Sequence, residues 1–248
     1  MDSLSNLQRI SRGKRSQDFR FLSKKEWLKP FINKNVLDLG CGNGVYTKYL
    51  IDLGIKPIAL DIDHGSLRSA RKYVGQPKLK ICQASGVDLP FDDAVFDLVI
   101  CVETLSHIPH EKHSIAFKEI NRVIKKDGTL ITSVHNSARF ALQNIVRLKK
   151  PEAAYKNPGL TIYPFTKKEL SQNLTQVGFS LKGSISFINF YNSIHQRYPK
   201  LFPILVFIET CLSHIPLLNR ISLTILAKAV KSNKTFPEHY CGKENLLN

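Results

Sequence analysis

Cysteine is sparse: five residues (Cys41, Cys82, Cys101, Cys211 and Cys241), an odd number, widely spaced and without one C-x-x-C pair. That spacing argues against a zinc site or a disulfide framework and leaves reduced thiols set in apolar runs. The opening residues, MDSLSNLQRISRGKR, lack the apolar stretch of a secretory signal. A membrane span is lacking as well. The most apolar segment, LFPILVFIETCLSHIPLL (201–218), is interrupted by Glu209, His214 and two prolines. No internal repeat and no RNA-binding module signature occurs. The expectation from these absences is a metal-free protein of the cytoplasm.

Acidic residues are also scarce, 20 Asp and Glu against 36 Lys and Arg, for a formal charge of +16. The excess is uneven: residues 9–34 hold nine cations against Asp18 and Glu26, interleaved with Phe19, Phe21, Trp27 and Phe31. Basic residues mixed with aromatics can contact nucleic acid or an anionic membrane surface. A solvated arm whose aromatics pack on the domain accounts for the same pattern.

With 248 residues and 43% apolar content, the chain can bury one α/β core with additions. Apolar runs at 35–40, 56–63, 79–84, 96–102 and 128–135 read as strands. Helical patterns fall between them, at about 44–53, 65–74 and 113–126, the last carrying Ile115, Phe117, Ile120, Val123 and Ile124 at helical spacing. Strands alternating with helices predict a parallel sheet with right-handed crossovers. Residues 136–163 read as an irregular excursion with a turn at NPG (157–159). A helix from about Thr166, a strand near 179–190, a long apolar helix and a last strand at 223–230 complete the pattern before a polar tail at 232–248.

The stretch VLDLGCGNGVYT (36–47) raises the functional question. Its glycines follow D-x-G-x-G-x-G, from Asp38 through Gly40 and Gly42 to Gly44, and fail the dinucleotide pattern G-x-G-x-x-G at Val45. Glycines permit positive φ and close approach of a bulky ligand. The loop after the first strand is where an open α/β sheet binds ligands. A carboxylate at Asp38 suits a cationic group, and one at Asp61, ending the second strand, can accept from both hydroxyls of a ribose. A ligand with a ribose, an ammonium and no phosphate fits S-adenosylmethionine.

VLDLGCGNG, ALDID, LPFDDAVFDLV and INRVIKKDGTLI resemble, in order and spacing, the successive motifs of class I S-adenosylmethionine-dependent methyltransferases of the small-molecule, type 11-like branch. The likeness is close over 36–135 and weaker through YPFTKKELSQNLTQVGF (163–179). It implies a Rossmann-like three-layer sandwich: a mostly parallel seven-stranded sheet, helices on both faces, the last strand antiparallel. It further implies a basic arm and lid helix at 1–34, the methyltransferase domain at 35–231 with substrate-cap insertions near 136–163 and 190–220, and the tail. Carried onto this chain, Gly40, Cys41, Gly42 and Gly44 form the loop under the cofactor, with Asp38 near its amino group. Asp61 holds the ribose and Ile62 lies against the adenine. Ser85 stands where the family often has an aspartate, Gly86 follows, and Val102 and Glu103 face the sulfonium. KKDGT (125–129) and SVHN (133–136) depart from the usual Lys-Pro-Gly-Gly and Ser-Val-Pro-Asn.

Methyl transfer is an in-line displacement, so alignment and exclusion of water supply most of the acceleration. A base is needed only where the acceptor keeps its proton at neutral pH. His107 and Glu103, four apart, are the candidates, with a shared helix face as the expected arrangement, and His135 and His110 stand behind them. The acceptor pocket is expected from the arm, the 136–163 excursion and the aromatic 186–218 segment, which favours a hydrophobic or ring-bearing small molecule. The alternatives are an RNA (tRNA) methyltransferase that uses the basic arm for phosphate contacts, and a cofactor-binding subunit without catalysis.

Overall fold

The structure is a computed structural model that describes residues 25–138, 155–157, 160–187, 222 and 224–232, with single positions at 204 and 208. The strands are β1 (Val36–Leu39), β2 (Pro57–Asp61), β3 (Ile81–Gln83), β4 (Phe96–Val102), β5 (Ile124–His135), β6 (Tyr155–Asn157), β7 (Leu160–Ile162), β8 (Phe179–Phe187) and β9 (Thr224–Lys231). Seven of them make one sheet in the order β3-β2-β1-β4-β5-β9-β8. The first five run parallel, and β9 is antiparallel to both neighbours. The expected reversal of the last strand is therefore present.

The helices α1 (Val45–Asp52), α2 (His64–Val74), α3 (His113–Val123) and α4 (Lys167–Gln176) cover the two faces. Alternate residues of each strand enter opposite cores. Leu37, Leu39, Val99, Cys101, Leu130 and Val134 pack with Phe117 and Ile120 of α3 and Leu170 and Leu174 of α4. Val36, Leu98, Ile100, Ile131 and Leu226 pack with Tyr46 and Leu50 of α1. Asp38 shares the α1 face with Val36, which brings it to Thr47. Local signals set the ends: Asp63 caps α2 by accepting from the Ser66 amide, and Thr166 with Glu169 forms a capping box on α4.

Three expectations need correction. The helix predicted over 113–126 ends at Val123, and Ile124 is extended and pairs with Phe96 in the sheet. Both residues are fully buried, so the apolar pattern runs on while the backbone changes state. The excursion 136–163 contains the antiparallel pair β6–β7 around the predicted NPG turn. The last part of the expected lid helix is not one helix: residues 25–31 form two 3₁₀ turns, and Leu28 is fully buried among Val36, Leu50 and Ile131. Burying one leucine contributes about 2 kcal/mol, so the core starts at Leu28 rather than Asn35. Trp27 lies beside Gly183, with the Lys228 ammonium 5.8 Å from its ring centroid. The remainder of the expected lid, the segment 190–220 apart from two positions, and the tail after Ser232 lie outside the described residues.

Candidate cofactor and acceptor site

The chain reverses its order of strand addition between β1 and β4, and ligands of such sheets sit beyond the carboxyl ends of the strands at that point. The loop 40–44 leaves β1 there. The Gly40 and Cys41 amides both donate to the Leu60 carbonyl, at 2.7 and 2.9 Å, tying the loop to the end of β2. Gly40 has φ +72°, and a Cβ on it would lie 2.1 Å from Thr104 Oγ1. Only glycine fits. At Gly42, φ +52°, no heavy atom of the described residues lies within 4 Å of where a Cβ would be, so the backbone faces away from them. The Gly44 backbone packs on Ala70 of α2. Cys41 is buried, and burial pushes its thiol pKa up, which keeps it neutral.

Asp61 is fixed from both sides. Its Oδ2 accepts from the Gly42 amide at 2.8 Å and its Oδ1 from the Asp63 amide at 2.9 Å, leaving further lone pairs on each oxygen. Ile62, next in sequence, is 68% exposed, a large apolar side chain in solvent beside a fixed carboxylate. Gln83 Nε2 donates to its carbonyl at 3.2 Å. Ser85 Oγ accepts weakly from the Val87 amide at 3.4 Å, and the Ser85 carbonyl accepts from Asp88. A Cβ on Gly86 would meet Ile108 at 3.4 Å and Leu39 at 3.8 Å, so this loop borders the same crevice. Arg122 of α3 holds the following segment by donating to the carbonyls of Leu89 and Phe91 and to Glu119 and Asp93.

Asp38 is 1% exposed, and Thr47 Oγ1 donates to its Oδ2. Burial raises its pKa to about 7 against the opposing hydroxyl bond, and the nearby Asp61 charge adds to the rise. A carboxyl in that state binds an ammonium only by giving up its proton.

At the end of β4, the half-buried Val102 packs against the α1-side core. Glu103 follows with φ +59°, its amide donating to the Ser133 carbonyl at 2.8 Å. A positive φ costs a non-glycine residue on the order of 1 kcal/mol or more and collects at functional sites. The conformation also removes Glu103 from the 3₁₀ turn Leu105–His107, so the expected shared helix face with His107 does not form. His107 instead has Nδ1 2.9 Å from the Thr161 carbonyl on β7. A carbonyl only accepts, so Nδ1 donates, and in the neutral ring Nε2 carries the lone pair. The His135 ring lies 5.9 Å away, its backbone amide donating to Ser106 Oγ. His110 stacks edge-on against Tyr163 and His113. Among the described residues no cluster of three His, Cys, Asp or Glu side chains is placed to hold a metal, and no helix is long and apolar enough to cross a membrane.

The glycine loop, Asp61 and Ile62 thus come together at the carboxyl ends of β1 and β2, and Glu103 and the His107 turn follow the carboxyl end of the neighbouring β4. Residues 37–132 match the family model for a methyltransferase domain. Residues 37–132 thus form a methyltransferase domain. Over 121 residues it is 40% identical to an uncharacterized protein of Methanocaldococcus jannaschii, covering 48% of this chain and 49% of the relative. It is 31% identical over 122 residues to a ubiquinone biosynthesis O-methyltransferase of Glaesserella parasuis, covering 46% and 51%. The chain thus spans about half the length of the curated relatives it matches. A solved SAM-dependent methyltransferase from Methanosarcina mazei superimposes with TM-score 0.59 at 19% identity, over 81% of this chain and 93% of the other, a likeness of fold.

Reasoning from the sequence missed two threonines. Thr47 was hidden because its role depends on which strand face Asp38 occupies. Thr104 was hidden because its partners lie 64 and 65 residues away. A hydroxyl directly after a buried strand, where the chain must turn, was the available signal.

Proposed function

We propose that this chain transfers a methyl group from S-adenosylmethionine to a hydroxyl of a small, hydrophobic or ring-bearing acceptor. The observation that carries this reading is the Gly42–Asp61 pair: a carboxylate held by two amides, beside a glycine whose outer face no described residue crowds. The residues fit the cofactor. Asp61 offers acceptors to two adjacent hydroxyls, Ile62 offers an apolar surface to a planar base, and Asp38 offers a buried countercharge to an ammonium. When bound, the cofactor supplies a methyl group already activated on sulfur.

The chain's own task is then alignment, water exclusion and, for a hydroxyl acceptor, proton removal. The Thr161 carbonyl fixes the His107 ring so that Nε2 is the atom able to take that proton. A relative bearing the name of an O-methyltransferase supports a hydroxyl acceptor, and the lack of any RNA-binding signature supports a small one.

Calorimetric titration with S-adenosylhomocysteine tests the site. Asp61→Ala removes both acceptor atoms for the ribose, and hydrogen bonds to a charged group are worth about 1.5–3 kcal/mol each before water compensates. The expected loss of affinity is therefore at least about tenfold. Unchanged affinity in Asp61→Ala removes the ribose assignment.

A further inference from the structure

The ladder between β1 and β4 ends at Asp38 and Ile100. Leu39, one residue further, ends β1, and Thr104 Oγ1 lies 3.1 Å from its carbonyl. The same hydroxyl is 3.2 Å from the carbonyl of Val102, the last residue of β4, and 3.4 Å from that of Gly40. With one hydrogen to give, it closes the gap where two neighbouring strands separate. Its methyl and Cβ fill the volume that a side chain on Gly40 would need, at 2.4 and 2.7 Å from the ideal Cβ. Thr104 also precedes the 3₁₀ turn carrying His107, and its carbonyl accepts from the His107 amide at 2.9 Å. One residue therefore grips the glycine loop with its side chain and the histidine turn with its backbone.

We infer that Thr104 is a positioning residue that sets the glycine loop for the cofactor and fixes its register against His107. The inference rests on the reading of residues 40–44 as the cofactor cradle. An in-line displacement tolerates little misalignment, so the hydroxyl acts through geometry without touching the reacting atoms. Packing alone predicts a different outcome, because valine has the shape of threonine.

The test compares Thr104→Val, which keeps the shape, with Thr104→Ser, which keeps the hydroxyl. Amide hydrogen exchange on the ligand-free protein reads the loop directly through Gly40, Cys41 and Gly42, with the β8–β9 amides as the internal reference. Faster loop exchange in Thr104→Val, by about tenfold, with wild-type exchange in Thr104→Ser and at the reference, is expected. Titration with S-adenosylhomocysteine should show the same split: about tenfold weaker binding for valine and near wild-type binding for serine. Loop exchange in Thr104→Val equal to wild type overturns the inference, as does equal acceleration in both variants. If the wild-type protein does not bind S-adenosylhomocysteine, the proposed function fails, and the exchange data still decide whether Thr104 holds the loop.

Discussion

Residues 25–138 carry 15 Lys and Arg against 13 Asp and Glu, whereas the rest of the chain carries 21 against 7. Almost the whole excess of positive charge therefore lies outside the stretch that contains the methyltransferase match. Inside that stretch the two signs nearly balance, and some charges pair locally: Arg122 with Glu119 and Asp93, Lys125 with Asp97, Lys48 with Asp52. Exposed pairs of this kind add little to stability. The difference teaches that holding the cofactor and choosing the acceptor are separable problems. On the proposed reading, the first is solved by backbone amides, glycines and two carboxylates between Asp38 and Asp61. On the same reading, the second falls to the basic arm and the segments after His135.

If that division is right, cofactor binding should respond to Asp38 and not to the peripheral charge. Asp38 has the larger expected effect. Its folded pKa of about 7 lies above the carboxyl's ordinary 3.8, so the folded protein holds the proton more tightly than the unfolded chain. The stability this contributes is fully present below the ordinary value and is lost as pH rises through about 7. A ligand with an ammonium beside Asp38 needs the deprotonated form, and its affinity should run the other way. S-adenosylhomocysteine is expected to bind about tenfold more weakly at pH 6 than at pH 8. Over the same range the melting temperature of the ligand-free protein should fall. Asp38→Asn should flatten both trends; a pH trend that survives in this variant assigns the proton elsewhere.

The peripheral charge should give the smallest effect. Replacing Arg9, Arg12, Lys14 and Arg15 together with glutamine is expected to leave the affinity for S-adenosylhomocysteine unchanged within error at low and high salt. Turnover on a small acceptor should also persist. Loss of turnover that neither salt nor acceptor restores, tracking lost RNA binding, would break the division and favour the RNA reading.

The half that carries the glycine loop was the more legible half. The alternation of strands and helices, the glycine loop and Asp61 are local patterns, and local patterns survive in one dimension. What escaped depends on contacts between distant segments. Val123 and Ile124 are both fully buried, so the hydrophobic period gave no sign that the helix stops between them. Leu28 anchors the arm to the core from within KKEWLKPF, where the charge count draws attention away from a single apolar side chain. Thr161 meets His107 across 54 residues, and a backbone carbonyl leaves no mark in the sequence. Glu103 and His107 have the spacing of a helix face, yet the positive φ of Glu103 breaks that face.

The central claim is methyl transfer to a small molecule, and label transfer tests it most directly. The protein is incubated with S-adenosylmethionine carrying a radiolabelled methyl group and with cell extract separated into small-molecule, RNA and protein fractions. Label is expected in the organic-extractable small-molecule fraction, dependent on the protein and abolished by excess S-adenosylhomocysteine. Label confined to RNA, or no protein-dependent label in any fraction while the cofactor binds, would contradict it.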